Sequence, residues 1–250
     1  MKFLVTSGGT IVPLDEVRRI QNMSSGRFGS KIAKAALEKG HAVDFLYARN
    51  SVTPLDLSFS FAADKNHMWM IRQILDMDAF ARSLGGRYTS LKYKTFYEYH
   101  RHVESLVKGG KPDVVLLAAA VSDYGPETGP LDDCRIPRGK ISSSQDELTI
   151  RLKPLPKIIA QVKQWNPDVF LVGFKLLVDA SEEDLAAAAK KQIDSAGSDL
   201  VVANDMRDLK MGAHRLHLFT KDGLLKTLDG PHIAELLIQQ IQCLAVEKVQ

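Results

Sequence analysis

Apolar runs and helix-period patterns alternate along most of this chain. Residues 3–5 form a short apolar run that predicts a buried strand. Residues 29–39 then put Ile32, Ala33, Ala36 and Leu37 on one face of a helix, which Gly40 stops as a C-cap glycine does. Residues 42–47 predict the next strand, and the strongly apolar 113–119 a central parallel one. A helix over 156–165 has Pro156 near its first turn. A strand over 169–174, a helix over 181–193 and a strand over 199–203 follow, the helix opening on Ser181 and three acids. Residues 214–220 and 224–228, separated by Lys221-Asp222-Gly223, predict a hairpin with Asp-Gly at its turn. An amphipathic helix over 233–246 closes the pattern.

Such alternation predicts an α/β fold: a Rossmann-like, mostly parallel sheet flanked by helices, with a C-terminal hairpin that serves as a dimerisation element. Ligands of these sheets bind at the carboxyl ends of the strands. Ser7–Thr10, Ala120–Tyr124, Phe174-Lys175 and Asn204-Asp205 all follow apolar strands, so they are the candidate site segments. Two stretches break the pattern. Residues 50–94 read as an irregular insertion with an amphipathic 67–77 inside it. Residues 125–144, rich in Gly, Pro, Ser and charge, read as a flap over the site. The expected unit is one domain over 1–250.

Composition narrows the function classes. With 250 residues, 45% of them hydrophobic, the chain can bury a large core. A net charge of +3 is too weak to point to nucleic acid, and suits anionic small molecules equally well. Cys134 and Cys243 form no CxxC pair and suggest a reducing, cytoplasmic setting. Met1-Lys2 leads straight into the first strand, so no targeting segment is expected, and no apolar run reaches the roughly 18 residues that span a membrane.

The most specific chemistry lies near the start. Ser7-Gly8-Gly9-Thr10 follows the first strand, and Asn22-Met23-Ser24-Ser25-Gly26 leads into the first helix. Glycines let backbone N–H groups approach an anion, and a helix N-terminus adds free donors and partial positive charge. Each residue also has an ordinary structural role when taken alone. Gly8-Gly9 makes a tight turn, Asn22 caps the helix, Asp123 closes an Asx-turn, Phe174 fills the core and Asn204 ends a strand. His100 with His102, and His214 with His217, lack the spacing of a metal-ligand set, so no resident metal site is expected.

In order along the chain, Val5-Thr6-Ser7-Gly8-Gly9-Thr10, Asn22-x-Ser24-Ser25-Gly26, Ala118–Tyr124, Lys140-Ile141-Ser142-Ser143, Pro156-Lys157-Ile158, Gly173–Leu176 and Val202–Asp205 resemble the phosphopantothenate–cysteine ligases of coenzyme A biosynthesis. The resemblance implies that 4′-phosphopantothenate and L-cysteine are joined as an amide, through an acyl-nucleotidylate made from CTP or ATP with Mg2+. It implies Asn22 on the intermediate's acyl-phosphate oxygens, Lys140 on the triphosphate, and Gly8, Gly9, Ser24, Ser25, Gly26 and Ala120 about the phosphates. Asp123 matches a residue that contacts ribose or metal. Phe174 and Asn204 match residues around base and ribose, and Lys190 or Lys191 supplies a second phosphate contact. The chain opens directly on the ligase motifs, so no flavin is expected, and family habit implies a homodimer. The rival reading is an NADPH-dependent reductase. It needs a close-spaced G-x-G-x-x-G, which the gap between Gly9 and Gly26 lacks, and would use Arg49 on a 2′-phosphate.

Overall fold

The computed structural model describes residues 1–57, 67–126, 141, 148–210 and 215–249. In chain order the strands are β1 (Lys2–Ser7), β2 (Ile11–Pro13), β3 (Arg19–Gln21), β4 (Ala42–Ala48), β5 (Tyr88–Tyr93), β6 (Val114–Leu117), β7 (Tyr124–Pro126), β8 (Leu152–Pro154), β9 (Phe170–Leu177), β10 (Leu200–Asp205), β11 (Arg215–Thr220) and β12 (Gly223–Asp229). The helices are α1 (Arg27–Glu38), α2 (Met68–Ser83), α3 (Phe96–Gly110), α4 (Ile159–Trp165), α5 (Glu182–Ala196), α6 (Met206–Lys210) and α7 (Ile233–Val249).

Eight strands form one sheet in the order β12-β11-β10-β9-β6-β1-β4-β5. The six from β10 to β5 pair in parallel, and the β11–β12 hairpin adds two antiparallel strands. Strand order therefore reverses between β1 and β6, which makes the gap beyond their carboxyl ends the switch point where ligands of such sheets sit. Both faces are covered, as a parallel sheet requires. Phe3, Val5, Phe45, Leu116 and Val172 pack with α1 and α7, while Leu4, Leu46, Val115 and Leu171 pack with α3 and α4. Alternate residues of one strand thus serve opposite layers.

The local signals act as expected at several ends. Gly40 has φ +83°, and His41 N–H reaches back to the Ala36 carbonyl over 3.0 Å to close α1. Ser181 caps α5 reciprocally with Asp184. Three expectations need correction. Residues 50–94 are not simply irregular: they contain the crossover helix α2 and the edge strand β5. The predicted 156–165 helix begins only at Ile159, with Pro156 in the lead-in. In the hairpin, Thr220 pairs with Gly223, so Lys221-Asp222 makes the turn and Gly223, at φ +110°, opens β12.

Candidate active site

Three segments meet at the carboxyl end of β1. The Ser7 hydroxyl donates to the Gly26 carbonyl over 2.8 Å. The Tyr93 hydroxyl donates to the Ser7 carbonyl over 2.8 Å, from inside the core. Gly8 has φ +86°, and a Cβ there would lie 2.6 Å from Ala48 Cβ. At Gly9 it would lie 2.6 Å from the Asn22 carbonyl oxygen. The glycine pair is therefore fixed by backbone conformation and by close approach to the 22–26 segment. Gly26, at φ +74°, is the N-cap of α1 and has no side chain to cap it; the Ser25 hydroxyl accepts only the Arg27 N–H, over 3.4 Å. Asn22 is thus not the helix cap; it stands beside Gly9 on the approach to α1. Ser24, half-buried, and Ser25, exposed, immediately precede the N-terminus of α1.

Across the switch point, Ala120 N–H donates to the Gly8 carbonyl over 2.8 Å, and Thr10 N–H to the Ala120 carbonyl over 3.1 Å. The Thr10 and Ser122 hydroxyls are 2.9 Å apart and buried. Beyond Ser122 opens a cavity of about 430 Å³ between the end of β6, the start of α4, β9 and α5. Asp123, Lys157, Phe174, Lys175, Lys191 and Gln192 line it. Lys157 pairs with Asp123, both well exposed. Lys175 is half-buried, and its ammonium is held below the ordinary lysine value, first by desolvation and then by Lys157; Asp123 opposes this and Lys191 adds to it. Three lysines against one aspartate, itself already paired, leave the cavity with an excess of positive charge, which suits an anion.

The sequence-predicted residues fall into two adjoining groups. Gly8, Gly9, Asn22, Ser25, Gly26 and Ala120 surround the glycine turn, with Ser24 beside them. Asp123, Phe174 and Lys191 line the cavity. Phe174 also meets Phe28 of α1 edge-on, with ring centroids 6.3 Å apart, and so bridges toward the first group. Helical register separates the two lysines of α5: Lys191 shares the cavity face with Ala188, Gln192 and Ser195, and Lys190 is not among the lining residues. Asn204 is the penultimate residue of β10, inside the strand rather than after it, and does not line the cavity. Lys140 and Cys134, with nearly all of the 125–144 flap, lie outside the described residues. Ile141, its described neighbour, donates to Asp15 and accepts from Arg18, each over 3.0 Å. In the sequence, Lys175 falls in a candidate site segment and Lys157 in a quoted motif, neither with an assigned role, and Gln192 in neither. Residues 188, 191 and 192 share one face of the helix predicted over 181–193, which was the available signal.

Among the described residues, no group of three or more His, Cys, Asp or Glu is placed to hold a metal ion. A magnesium ion carried on phosphates needs only one or two protein carboxylates, and Asp123 is one that lines the cavity. Among the same residues no helix is long and apolar enough to cross a membrane.

Fold and site together define a doubly wound α/β protein with a lysine-lined cavity at its switch point. A family model described as the DNA/pantothenate metabolism flavoprotein C-terminal domain matches residues 1–73 and 89–244, and the chain belongs to this family. It is 30% identical to the phosphopantothenate–cysteine ligase of Homo sapiens, covering 96% of this chain and 84% of that one. It is 37% identical to the coenzyme A biosynthesis bifunctional protein CoaBC of Thermococcus kodakarensis, over 82% of this chain but only 41% of that longer one. Among solved structures, the DNA/pantothenate metabolism flavoprotein of Streptococcus pneumoniae superposes with a TM-score of 0.75 at 29% identity, covering 97% and 99% of the two chains. These relatives do not favour the reductase.

Proposed function

We propose that this chain is a phosphopantothenate–cysteine ligase. The observation that carries the reading is the adjacency of the glycine turn, with the start of α1, to the lysine-lined cavity at the switch point of a chain in this family. In the proposed reaction a phosphopantothenate carboxylate oxygen attacks the α-phosphorus of CTP or ATP, and pyrophosphate leaves. The amine of cysteine then attacks the acyl carbon, loses a proton, and displaces CMP or AMP.

The residues divide the work by charge. Both reactants are anions, so their approach requires donors and cations. Lys157, Lys175 and Lys191 supply cationic charge from the cavity wall. The Gly8-Gly9 turn and the N-terminus of α1, with Ser24 and Ser25, supply hydrogen-bond donors for a phosphate group. Asn22, beside Gly9, holds the acyl-phosphate oxygens through its amide. Phe174 and Asn204 are assigned to base and ribose, and Lys140 to the triphosphate. Magnesium, when bound, offsets charge on the phosphates, with Asp123 as a protein ligand. We further propose a cytoplasmic homodimer, with the 50–94 segment contributing to the partner's site. Light scattering that shows only monomer at working concentration overturns the dimer.

The test is product formation by mass spectrometry, with phosphopantothenate, L-cysteine, magnesium and either CTP or ATP. An amide product with matching CMP or AMP supports the ligase and identifies its nucleotide. No product with either nucleotide, from folded protein, overturns it.

A further inference from the structure

Gln192 carries a polar group that nothing in the fold explains. Its side chain lines the cavity yet is only 6% exposed, and its amide nitrogen is buried without a hydrogen-bond partner. A buried donor left unpaired is destabilising, and such groups in native structures call for an explanation. The surroundings are specific. Gly173 of β9 lies directly beneath: a Cβ at that position would fall on the Gln192 amide nitrogen and 2.9 Å from Ile159 Cδ1. The absence of a side chain at 173 is what lets the amide lie against the strand, at the cavity wall next to Phe174.

The charges nearby indicate which part of a ligand this amide meets. Lys157, Lys175 and Lys191 already supply cations to the cavity, so a neutral amide adds little toward phosphate. On this face its apolar neighbour is Ile159, the Phe174 ring lying on the opposite face against Phe28, and the amide suits a flat, mostly apolar group carrying a ring nitrogen or carbonyl acceptor. We propose that Gln192 is a specificity-determining residue that reads the nucleobase, its amide N–H donating to an acceptor atom of the base. This rests on the nucleotide-dependent ligase reading and adds to it a residue that discriminates among nucleotides.

The experiment uses the full chain and Gln192→Met, which keeps the volume and removes the donor. Three quantities are measured: KM for CTP and ATP, inhibition by inorganic tripolyphosphate, and thermal midpoint without ligand. The expected result is a KM for the nucleotide in use raised about five- to tenfold, as one hydrogen bond to a buried donor implies. Tripolyphosphate, which has no base, inhibits both proteins equally. Relief of the unpaired amide raises the ligand-free Tm by about 2 °C. An unchanged KM, or a matching loss for tripolyphosphate, overturns the proposal. Gln192→Glu, which exchanges the donor for an acceptor, is the second variant and raises KM further. Wild-type protein with no saturable dependence on either nucleotide overturns the ligase reading itself, a result distinct from a variant that keeps wild-type KM.

Discussion

The Ser7 hydroxyl and Gly26 are locked together: the hydroxyl donates to the Gly26 carbonyl over 2.8 Å and lies 2.8 Å from where a Gly26 Cβ would stand. The same oxygen is 2.5 Å from the Cβ position of Gly29, one turn further into α1. One side chain therefore fixes the helix start against the strand end. Gly29→Ala should destabilise the fold by about 1–3 kcal/mol, the cost of inserting a methyl group into a packed contact. Urea denaturation checks this. Ser7→Ala in the same chain should recover only part of the loss, because Ser7 Cβ is itself 2.8 Å from the added methyl.

Asn22 is pressed against Gly9 through its backbone, which leaves its amide as the group available for chemistry. Asn22→Asp keeps the shape and replaces a donor with a negative charge. Turnover should fall by ~10²-fold or more, as for loss of a donor to a developing anion. The nucleotide KM should stay within about twofold of wild type if Asn22 acts on the acyl-nucleotidylate rather than on the nucleotide. Quenched-flow mass spectrometry reads both; unchanged turnover removes Asn22 from the mechanism.

The two lysines of α5 provide an internal control. Lys191 lines the cavity and Lys190 does not. Lys191→Met should raise the nucleotide KM about tenfold or more, the range for a hydrogen bond to a charged group. Lys190→Met should leave it within about twofold. Equal effects from both variants would mean that a general surface field, and not the cavity, attracts the nucleotide.

Asp205 couples the end of β10 to the loop after β9. Its carboxylate accepts from Arg207 N–H and Ala180 N–H, each over 2.6 Å. The Arg207 backbone bond is foremost in holding its pKa below the ordinary 3.8, against the opposing effect of burial. A carboxyl whose folded pKa is depressed contributes stability above its unfolded value, and loses it as pH falls through the folded value. Asp205→Asn should therefore lower the Tm at pH 6. The gap from wild type should narrow as the pH drops below 3.8. Melting curves at several pH values decide; a gap independent of pH would assign the effect to packing.

Most of the sheet was legible because its central strands are buried on both faces and read as apolar runs; β6, with four buried residues, is the clearest. β5 was not legible for the converse reason. Tyr88–Tyr93 forms an edge strand with its middle exposed, so Thr89, Ser90 and Lys92 interrupt any apolar run. α2 was only half legible, since Met70 is its one buried side chain among the described residues and little periodicity marks it. At the site, glycines that must have positive φ or close approach stood out; Phe174, placed at the end of the strand predicted over 169–174, instead lies within β9, which runs on to Leu177. Gln192 did not stand out, because an amide in a helix reads as a solvated face until the glycine opposite it is known.

The stitch across the switch point settles which donors remain for an arriving anion. Ala120 spends its N–H on the Gly8 carbonyl, and its own carbonyl takes the Thr10 N–H. The two halves of the sheet are thereby zipped two residues past the end of β1 and three past the end of β6, and the Ala120 peptide has both its groups engaged. Recognition at this mouth is therefore assigned to the Gly8-Gly9 turn, the helix end and movable side chains rather than to the Ala120 peptide. Selectivity can then change by substitution at a few lysines and one amide, with the ladder beneath them left intact.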